Sequence, residues 1–266
     1  MLPFTRHALP SGRAVFAVTL IGVGIAGLLC GDFVGVWGGV PRGTPARAQL
    51  ALVCALVSVA AGAGLLWRRT ALATARALLV GLVLWALLFK GRFVLSQPLT
   101  EGTWQSLGEN AVLVAGVWVL YASLAGEADR RRAGFATGER GVRIARVIYA
   151  LAMAAFGFSH FAYLDLTAPL VPAWLPWHVG WAYFTGAAYL AAAVAMLVGV
   201  WARLAAVLST LQMGGFTLLI WVPMALSGPM SPFRRGEFIL SWTLTAAGWV
   251  VADSYRGSAW RARAKP

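Results

Sequence analysis

The chain has 266 residues, of which 60% are hydrophobic and only 12% are charged, and its mean hydropathy is +0.74. A soluble domain carries roughly a quarter charged residues, so this composition excludes an ordinary soluble globular protein. The net charge is +13, but the cations lie in loops between apolar runs. They therefore indicate membrane topology rather than nucleic-acid binding.

The apolar runs predict the secondary structure. Several reach about 20 residues, the length that crosses a hydrocarbon core of about 30 Å. They are continuous and rich in Ala and Leu, which favours helices over membrane-spanning strands. The sequence predicts an all-α membrane protein with eight transmembrane helices, near 14–33, 48–67, 70–90, 107–126, 143–164, 178–199, 201–225 and 236–253.

A charged segment near the midpoint divides the chain. We expect a first four-helix transmembrane repeat at 1–126, a charged cytoplasmic linker at 127–142, a second four-helix repeat at 143–255, and a basic cytoplasmic tail at 256–266. The lipid bilayer is the first predicted partner.

Matching features recur in the same order in the two halves. Asp32 and Asp165 each follow the first helix of a half, and a connector containing Pro and Trp comes next. Glu109 and Glu237 each open the predicted fourth helix of a half. The aspartates are 133 residues apart (165 − 32) and the glutamates 128 (237 − 109). Four helices per half predict a parallel repeat, as two four-helix bundles related by a pseudo-twofold axis along the membrane normal.

The positive charges predict the orientation. With eight spans, sixteen of the 22 Lys and Arg residues fall on the side of the chain termini and six on the other side. Cytoplasmic loops carry the excess of Lys and Arg. We therefore expect both termini in the cytoplasm and the protein in the inner (plasma) membrane.

The segment FSHFAYLDLTAPLVPAWLPWH, residues 158–178, contains two of the three histidines. Its prolines disfavour continuation of a helix, so the segment predicts an exit from and a re-entry into the membrane. In the following helix four side chains have the spacing of one stripe. The candidate ligand-binding residues are His160, this stripe of His178, Trp181, Thr185 and Tyr189, and the mid-helix Gln212.

This group suits a quinone, whose carbonyls accept hydrogen bonds from His, Tyr or Thr, but an aromatic belt at the membrane interface has the same composition. Two histidines on adjacent helices also suit haem, although no CxxCH motif is present. No dense cluster of metal ligands is visible, so no metal site is predicted. No cofactor is certain, and a quinone is the one expected.

Four acids, Glu109, Glu237, Asp32 and Asp165, are candidates for an acidic pair on the non-cytoplasmic side. Ionisable groups at membrane depth are costly and mark functional sites. At helix openings the same carboxylates interact favourably with the helix dipole, which explains Glu109 and Glu237 without a function. The loop aspartates are equally explained as solvated charges.

The residues from Gly157 to Leu190, followed by VGVWARLAAVLSTLQ, resemble the DoxX-like membrane family. The matching positions are His160, Phe161, Pro172, Trp174, Leu175, Pro176, Tyr183, Thr185, Gly186 and the turn from Arg203 to Ala206. The resemblance covers roughly 145–225, and the first half only through the duplication. Family members often carry a Glu in the second helix, where this chain has Ala187, Ala188 and Tyr189.

That family includes the membrane subunit of thiosulfate:quinone oxidoreductase, and related four-helix proteins act as assembly chaperones. The resemblance implies an accessory protein of a membrane redox system, with other membrane redox proteins as partners and a quinone or similar lipid near the non-cytoplasmic face. The alternatives are a non-enzymatic chaperone or scaffold for membrane proteins and, third, a small-molecule transporter. No catalytic motif is identified, so an enzymatic role stays open.

Overall fold

The computed structural model describes residues 11–260, and all regular secondary structure in that range is helical apart from an isolated bridge residue at position 200. The α-helices are α1 (Ser11–Cys30), α2 (Arg47–Leu66), α3 (Ala71–Trp85), α4 (Arg92–Ser96), α5 (Glu101–Leu124), α6 (Glu127–Arg132), α7 (Gly138–Ala162), α8 (Leu164–Thr167), α9 (His178–Val198), α10 (Ala202–Phe216), α11 (Val222–Leu226) and α12 (Pro232–Ser254). Arg6 and residues 261–266, which entered the orientation prediction, lie outside the described residues.

Seven helical segments of the described chain are long and apolar enough to cross a membrane, which confirms a multi-pass helical membrane architecture. They are Ser11–Cys30, Arg47–Leu66, Ala71–Ser96, Glu101–Leu124, Gly138–Ala162, His178–Val198 and Ala202–Leu226. Helix α12 has 23 residues but is less apolar, because Arg234, Arg235 and Glu237 occupy its first turns.

The packing explains why α12 tolerates this composition. It contacts α1, α5 and α10 along its length, so its neighbours are other helices on several sides. Buried positions such as Thr243, Ala247 and Val251 face those helices. Small residues allow close approach between membrane helices, and a helix enclosed in this way needs little lipid-facing surface.

Hydrogen bonds tie the helix ends together at both ends of the bundle. At one end, which we call the terminus end, the N–H of Gly12 donates to Asp253 Oδ2 at 2.7 Å, and Arg13 Nε donates to the Leu65 carbonyl at 2.7 Å. At the opposite end, the cavity end, the N–H of Gly102 donates to the Tyr163 hydroxyl at 2.9 Å. Neighbouring helices in sequence therefore run antiparallel between these two ends.

Two spans contain a π-helical segment near the cavity end. Helix α3 continues through Ala86–Gly91 into α4, and α10 continues through Thr217–Trp221 into α11. Both α3 and α10 have 15 residues. Their first residues, Ala71 and Ala202, are 131 positions apart (202 − 71), as are the first residues of α5 and α12.

The helix boundaries correct one prediction. Helix α5 begins at Glu101 rather than near 107, and α12 begins at Pro232 rather than near 236. Glu109 is therefore eight residues inside its helix and Glu237 five residues inside. Neither carboxylate opens a helix, so stabilisation by an N-terminal helix dipole, which falls off within the first turn, does not account for them.

Candidate functional site

A cavity of about 500 Å³ lies between helices near the cavity end. This volume is within the range of small-molecule sites. Its wall combines α5, α7, α9, α10, α12, the π-helical segment after α10, and the connector before α9. The lining residues include Gln105, Glu109, Phe156, Ser159, His160, Leu170, Trp174, Trp181, Thr185, Tyr189, Gln212, Gly215, Phe216, Trp221, Glu237 and Ser241.

His160 lies near the end of α7 and faces this cavity. Its ring centroid is 5.6 Å from that of Tyr189 and 5.7 Å from that of Phe216. Gly186 permits this packing, since a Cβ there would be 2.8 Å from the Cβ of His160. The imidazole is thus held between aromatic rings on two other helices.

One hydrogen bond sets the tautomer of His160. Its Nδ1 is 2.8 Å from the carbonyl oxygen of Phe156, one turn earlier in α7. A carbonyl only accepts, so Nδ1 carries the proton in this bond. In the neutral imidazole Nε2 then has a free lone pair and acts as a hydrogen-bond acceptor.

Glu109 and Glu237 reach the same cavity from α5 and α12. Both side chains are partly buried, and Glu109 is hydrogen-bonded by Gln105, one turn earlier in α5. The structure therefore brings two of the four predicted acids together with His160. Two carboxylates in a largely apolar cavity are costly unless a ligand or a cation compensates them.

Lys90 supplies part of that compensation from behind the wall. It is only 8% exposed, and its Nζ donates to the Ser106 hydroxyl at 2.8 Å. It interacts electrostatically with both Glu109 and Glu237. A small void of about 10 Å³ lies beside it, lined also by Asn110, whose buried amide nitrogen and oxygen both lack a hydrogen-bond partner in the described chain.

Five of the six predicted ligand-binding residues lie at the cavity wall. His160, Trp181, Thr185, Tyr189 and Gln212 all line the cavity. His178 begins α9 and is not among the lining residues, so the predicted stripe reaches the cavity only from its second member onward.

The two predicted aspartates lie away from the cavity. Asp32 forms an ion pair with Arg47 at 2.7 Å, with about half of its side chain exposed. Asp165 is exposed in the short helix α8. Both are explained as solvated charges of the connectors, and the acidic pair consists of Glu109 and Glu237 alone.

Aromatic rings pack together at the connector after α1. Trp37, from the connector after α1, is 5% exposed and donates through its indole N–H to Ser58 at 2.7 Å. Its ring packs edge-on against Trp85 at 5.0 Å, and Trp85 packs against Phe89 at 4.4 Å. These rings occupy the space between α2, α3 and the connector.

Several site residues were missed from the sequence. Gln105 precedes the predicted helix 107–126 and Lys90 ends the predicted helix 70–90, and polar residues at such positions carry no signal for a site. Ser241 lies inside the predicted helix 236–253 and Phe216 inside 201–225, and neither side chain carries a sequence signal for a site. The one available signal was spacing, because Gln105 and Glu109 are four apart and share a helix face.

Within residues 11–260 no group of three His, Cys, Asp or Glu side chains is placed to hold a metal ion. Of the two histidines considered for haem, only His160 lines the cavity. Compared with protein-family models, curated proteins and solved structures, the chain matches none.

Proposed function

We propose that this protein binds a quinone or a similar aromatic lipid in the cavity and serves as an accessory protein of a membrane redox system. The observation that carries the proposal is a cavity of about 500 Å³ that joins His160 and two carboxylates to an otherwise apolar and aromatic wall. Such sites bind ligands whose apolar body fills the pocket while a few polar atoms fix its orientation. A membrane quinone has such an apolar body, and its two carbonyl oxygens are the polar atoms.

The family resemblance supports the same proposal. Of its matching residues, His160, Pro172, Trp174, Leu175 and Thr185 line the cavity. We propose that the chain is DoxX-like, and that the residues that carry the resemblance surround a ligand site.

We further propose that α12 is an eighth span and that the two halves are parallel repeats. A helix of 23 residues is about 34 Å long, enough to cross the hydrocarbon core. Gly116 of α5 and Ala247 of α12 are 131 positions apart and in contact, since a Cβ on Gly116 would be 3.1 Å from the Cβ of Ala247. This contact lies where a pseudo-twofold axis between α5 and α12 is expected.

In that register Glu237 corresponds to Ser106, and Glu109 corresponds to Leu240. The two glutamates are then not symmetry equivalents, which replaces the pairing inferred from the sequence. They come from different halves and meet in one cavity. A duplication by itself would give two ligand sites, and we propose that only one exists because Trp37 and Trp85 fill the space of the other.

The distribution of cations between the two ends of the bundle supports a proposal for the orientation of the protein in the membrane. Six cations, Arg42, Arg47, Lys90, Arg92, Arg234 and Arg235, belong to the cavity end, and the other described cations belong to the terminus end. We propose that the terminus end is cytoplasmic and that the cavity opens toward the outer side of the inner membrane.

Cysteine labelling in intact cells tests the topology. In a variant lacking Cys30 and Cys54, a membrane-impermeant maleimide is expected to label Gln97→Cys from outside and Arg132→Cys only after permeabilisation. Ser258→Cys should behave like Arg132→Cys if α12 crosses the membrane. Labelling of Ser258→Cys from outside would mean that α12 does not cross and that the chain has seven spans.

The proposed ligand is tested by purification in mild detergent, with bound lipids extracted for mass spectrometry. We expect a quinone near one equivalent in the wild type and its loss in His160→Ala, because the variant removes the polar anchor and the ring beside Tyr189. His178→Ala is the matched control and should retain the quinone. A quinone-free protein that co-purifies stoichiometrically with another membrane protein would reject the proposal and favour a scaffold.

A further inference from the structure

Most hydrogen-bond donors of the cavity wall are already engaged within the protein. The Thr185 hydroxyl donates to the Trp181 carbonyl at 2.9 Å, and Gln212 Nε2 donates to the Thr185 carbonyl at 3.0 Å. Gln212 is also hydrogen-bonded to the Tyr189 hydroxyl. The Thr185 hydroxyl therefore has no proton left for a quinone carbonyl, whereas Tyr189 accepts its bond from Gln212 and keeps its own O–H as a donor.

Ser241 is engaged in the same way. The Thr217 hydroxyl donates to the Met213 carbonyl at 3.0 Å and is 2.8 Å from the Ser241 hydroxyl. Each hydroxyl has one proton, so Ser241 is the donor in its bond with Thr217. Ser159 likewise uses its one proton within the protein, because its hydroxyl lies 2.9 Å from the Ala155 carbonyl oxygen and also contacts the Glu101 carboxyl group.

Besides the Tyr189 O–H, the groups left to a ligand include acceptors on three side chains. They are Nε2 of His160, whose proton is on Nδ1, and the carboxyl groups of Glu109 and Glu237. Three indole N–H groups also line the cavity, those of Trp174, Trp181 and Trp221. The side chains of Trp174 and Trp181 are 71% and 38% exposed, so they are less enclosed than His160 and the two glutamates.

The charge balance favours a neutral ligand over a cation. Lys90 interacts with both carboxylates and lies outside the main cavity, behind Glu109. It offsets part of their negative charge without presenting a donor to the cavity. A neutral hydroxyl donor therefore complements the site better than a lipophilic ammonium ion.

We propose that the cavity selects the reduced, hydroxyl-bearing form of an aromatic lipid, a quinol, over the corresponding quinone. The inference rests on the proposed function and specifies the ligand of the same site. A quinol offers two O–H donors to the acceptors on His160 and the glutamates. A quinone has no O–H for these acceptors, so they stay unpaired, which is costly in a dry cavity.

The test measures binding of two matched probe pairs to the purified protein by isothermal titration calorimetry. The first pair is decylubiquinol, kept reduced under argon, and decylubiquinone. The second is 4-octylphenol and its methyl ether, which differ in the O–H donor and cannot be interconverted by oxidation. We expect at least about tenfold tighter binding of the hydroxyl-bearing member of each pair, as one hydrogen bond to a charged or strongly accepting group predicts.

Glu237→Gln is the informative variant, because it keeps the size of the side chain and replaces a carboxylate with an amide that also donates. It should reduce the preference for the hydroxyl-bearing member in both pairs. Arg234→Gln, exposed at the start of α12, is the control and should retain the preference.

The outcomes separate this inference from the proposed function. Equal or tighter binding of decylubiquinone would overturn the quinol preference and leave the quinone-lipid site standing. Binding of neither ubiquinone form would reject the proposed function, and the quinol preference with it. Tighter binding of octylamine than of 4-octylphenol would show that the carboxylates select a cation and would also overturn the inference.

Discussion

Replacing Gly215 with Trp is expected to abolish ligand binding while the protein stays folded. Gly215 lines the cavity in α10, and a Cβ built on it has no heavy atom within 4 Å. Because Gly215 lines the cavity and the space beside it is open, an indole at this position is expected to occupy volume that the ligand needs. We expect the affinity for 4-octylphenol to fall at least about 100-fold, which corresponds to about 2.7 kcal/mol.

Gly22→Trp is the control for this substitution. Gly22 is exposed in α1, and a Cβ there also meets no atom within 4 Å, but the residue is not part of the cavity. Both variants should unfold at temperatures close to that of the wild type in detergent, and Gly22→Trp should bind normally. Normal binding by Gly215→Trp would show that the ligand lies elsewhere. Equal losses in both variants would show that the probe partitions nonspecifically.

Replacing Gly62 with Leu is expected to disrupt the packing of α1 against α2 and to lower the stability strongly. A Cβ on Gly62 would collide with the Ala17 carbonyl oxygen and lie 2.6 Å from the Ile21 side chain. The same holds for Gly24 on α1, where an added Cβ would lie equally close to Ala55 and Val59 of α2. The clash involves backbone atoms, which cannot rotate away, so the helices must separate.

We expect a loss of about 3 kcal/mol, at the upper end of overpacking effects, because the lost contact runs along two whole helices. The measurement is thermal unfolding in detergent, followed by circular dichroism. Gly22 lies on α1 of the same helix pair, and an added Cβ there meets no atom within 4 Å. Gly22→Leu should therefore change the unfolding temperature little. A Gly62→Leu protein as stable as wild type would show that the close approach of α1 and α2 does not hold the bundle together.

Hydropathy was sufficient for the class of fold because the bilayer acts on each span separately. A run of about 20 apolar residues is stable as a membrane helix whatever its neighbours are. Helices such as α2 and α9 therefore begin within one residue of their predicted positions. The polar ends of α5 and α12 were placed in loops for the same reason, since Glu101 and Arg234 interrupt the apolar pattern although the helix continues through them.

Candidate ligand residues were predictable where local spacing carried the information. Trp181, Thr185 and Tyr189 share a face of one helix, and a short connector keeps that helix beside His160. The contribution of α5 was not predictable in this way. Glu109 is about 50 residues before His160, and its approach to the cavity depends on how α5 packs against both α7 and α12.

The sequence by itself determined that this is a helical membrane protein, where most of its spans lie, and which end of α7 and α9 carries the polar residues. Only the tertiary structure decided that Glu109 and Glu237 share one cavity, that Lys90 lies buried behind them, and that Trp37 and Trp85 pack against each other. The physical reason is the separation along the chain of the residues on which each property depends. Membrane insertion depends on the polarity of each segment alone, whereas a cavity and its free acceptors depend on which side chains from distant helices fill the space and use the hydrogen-bond donors.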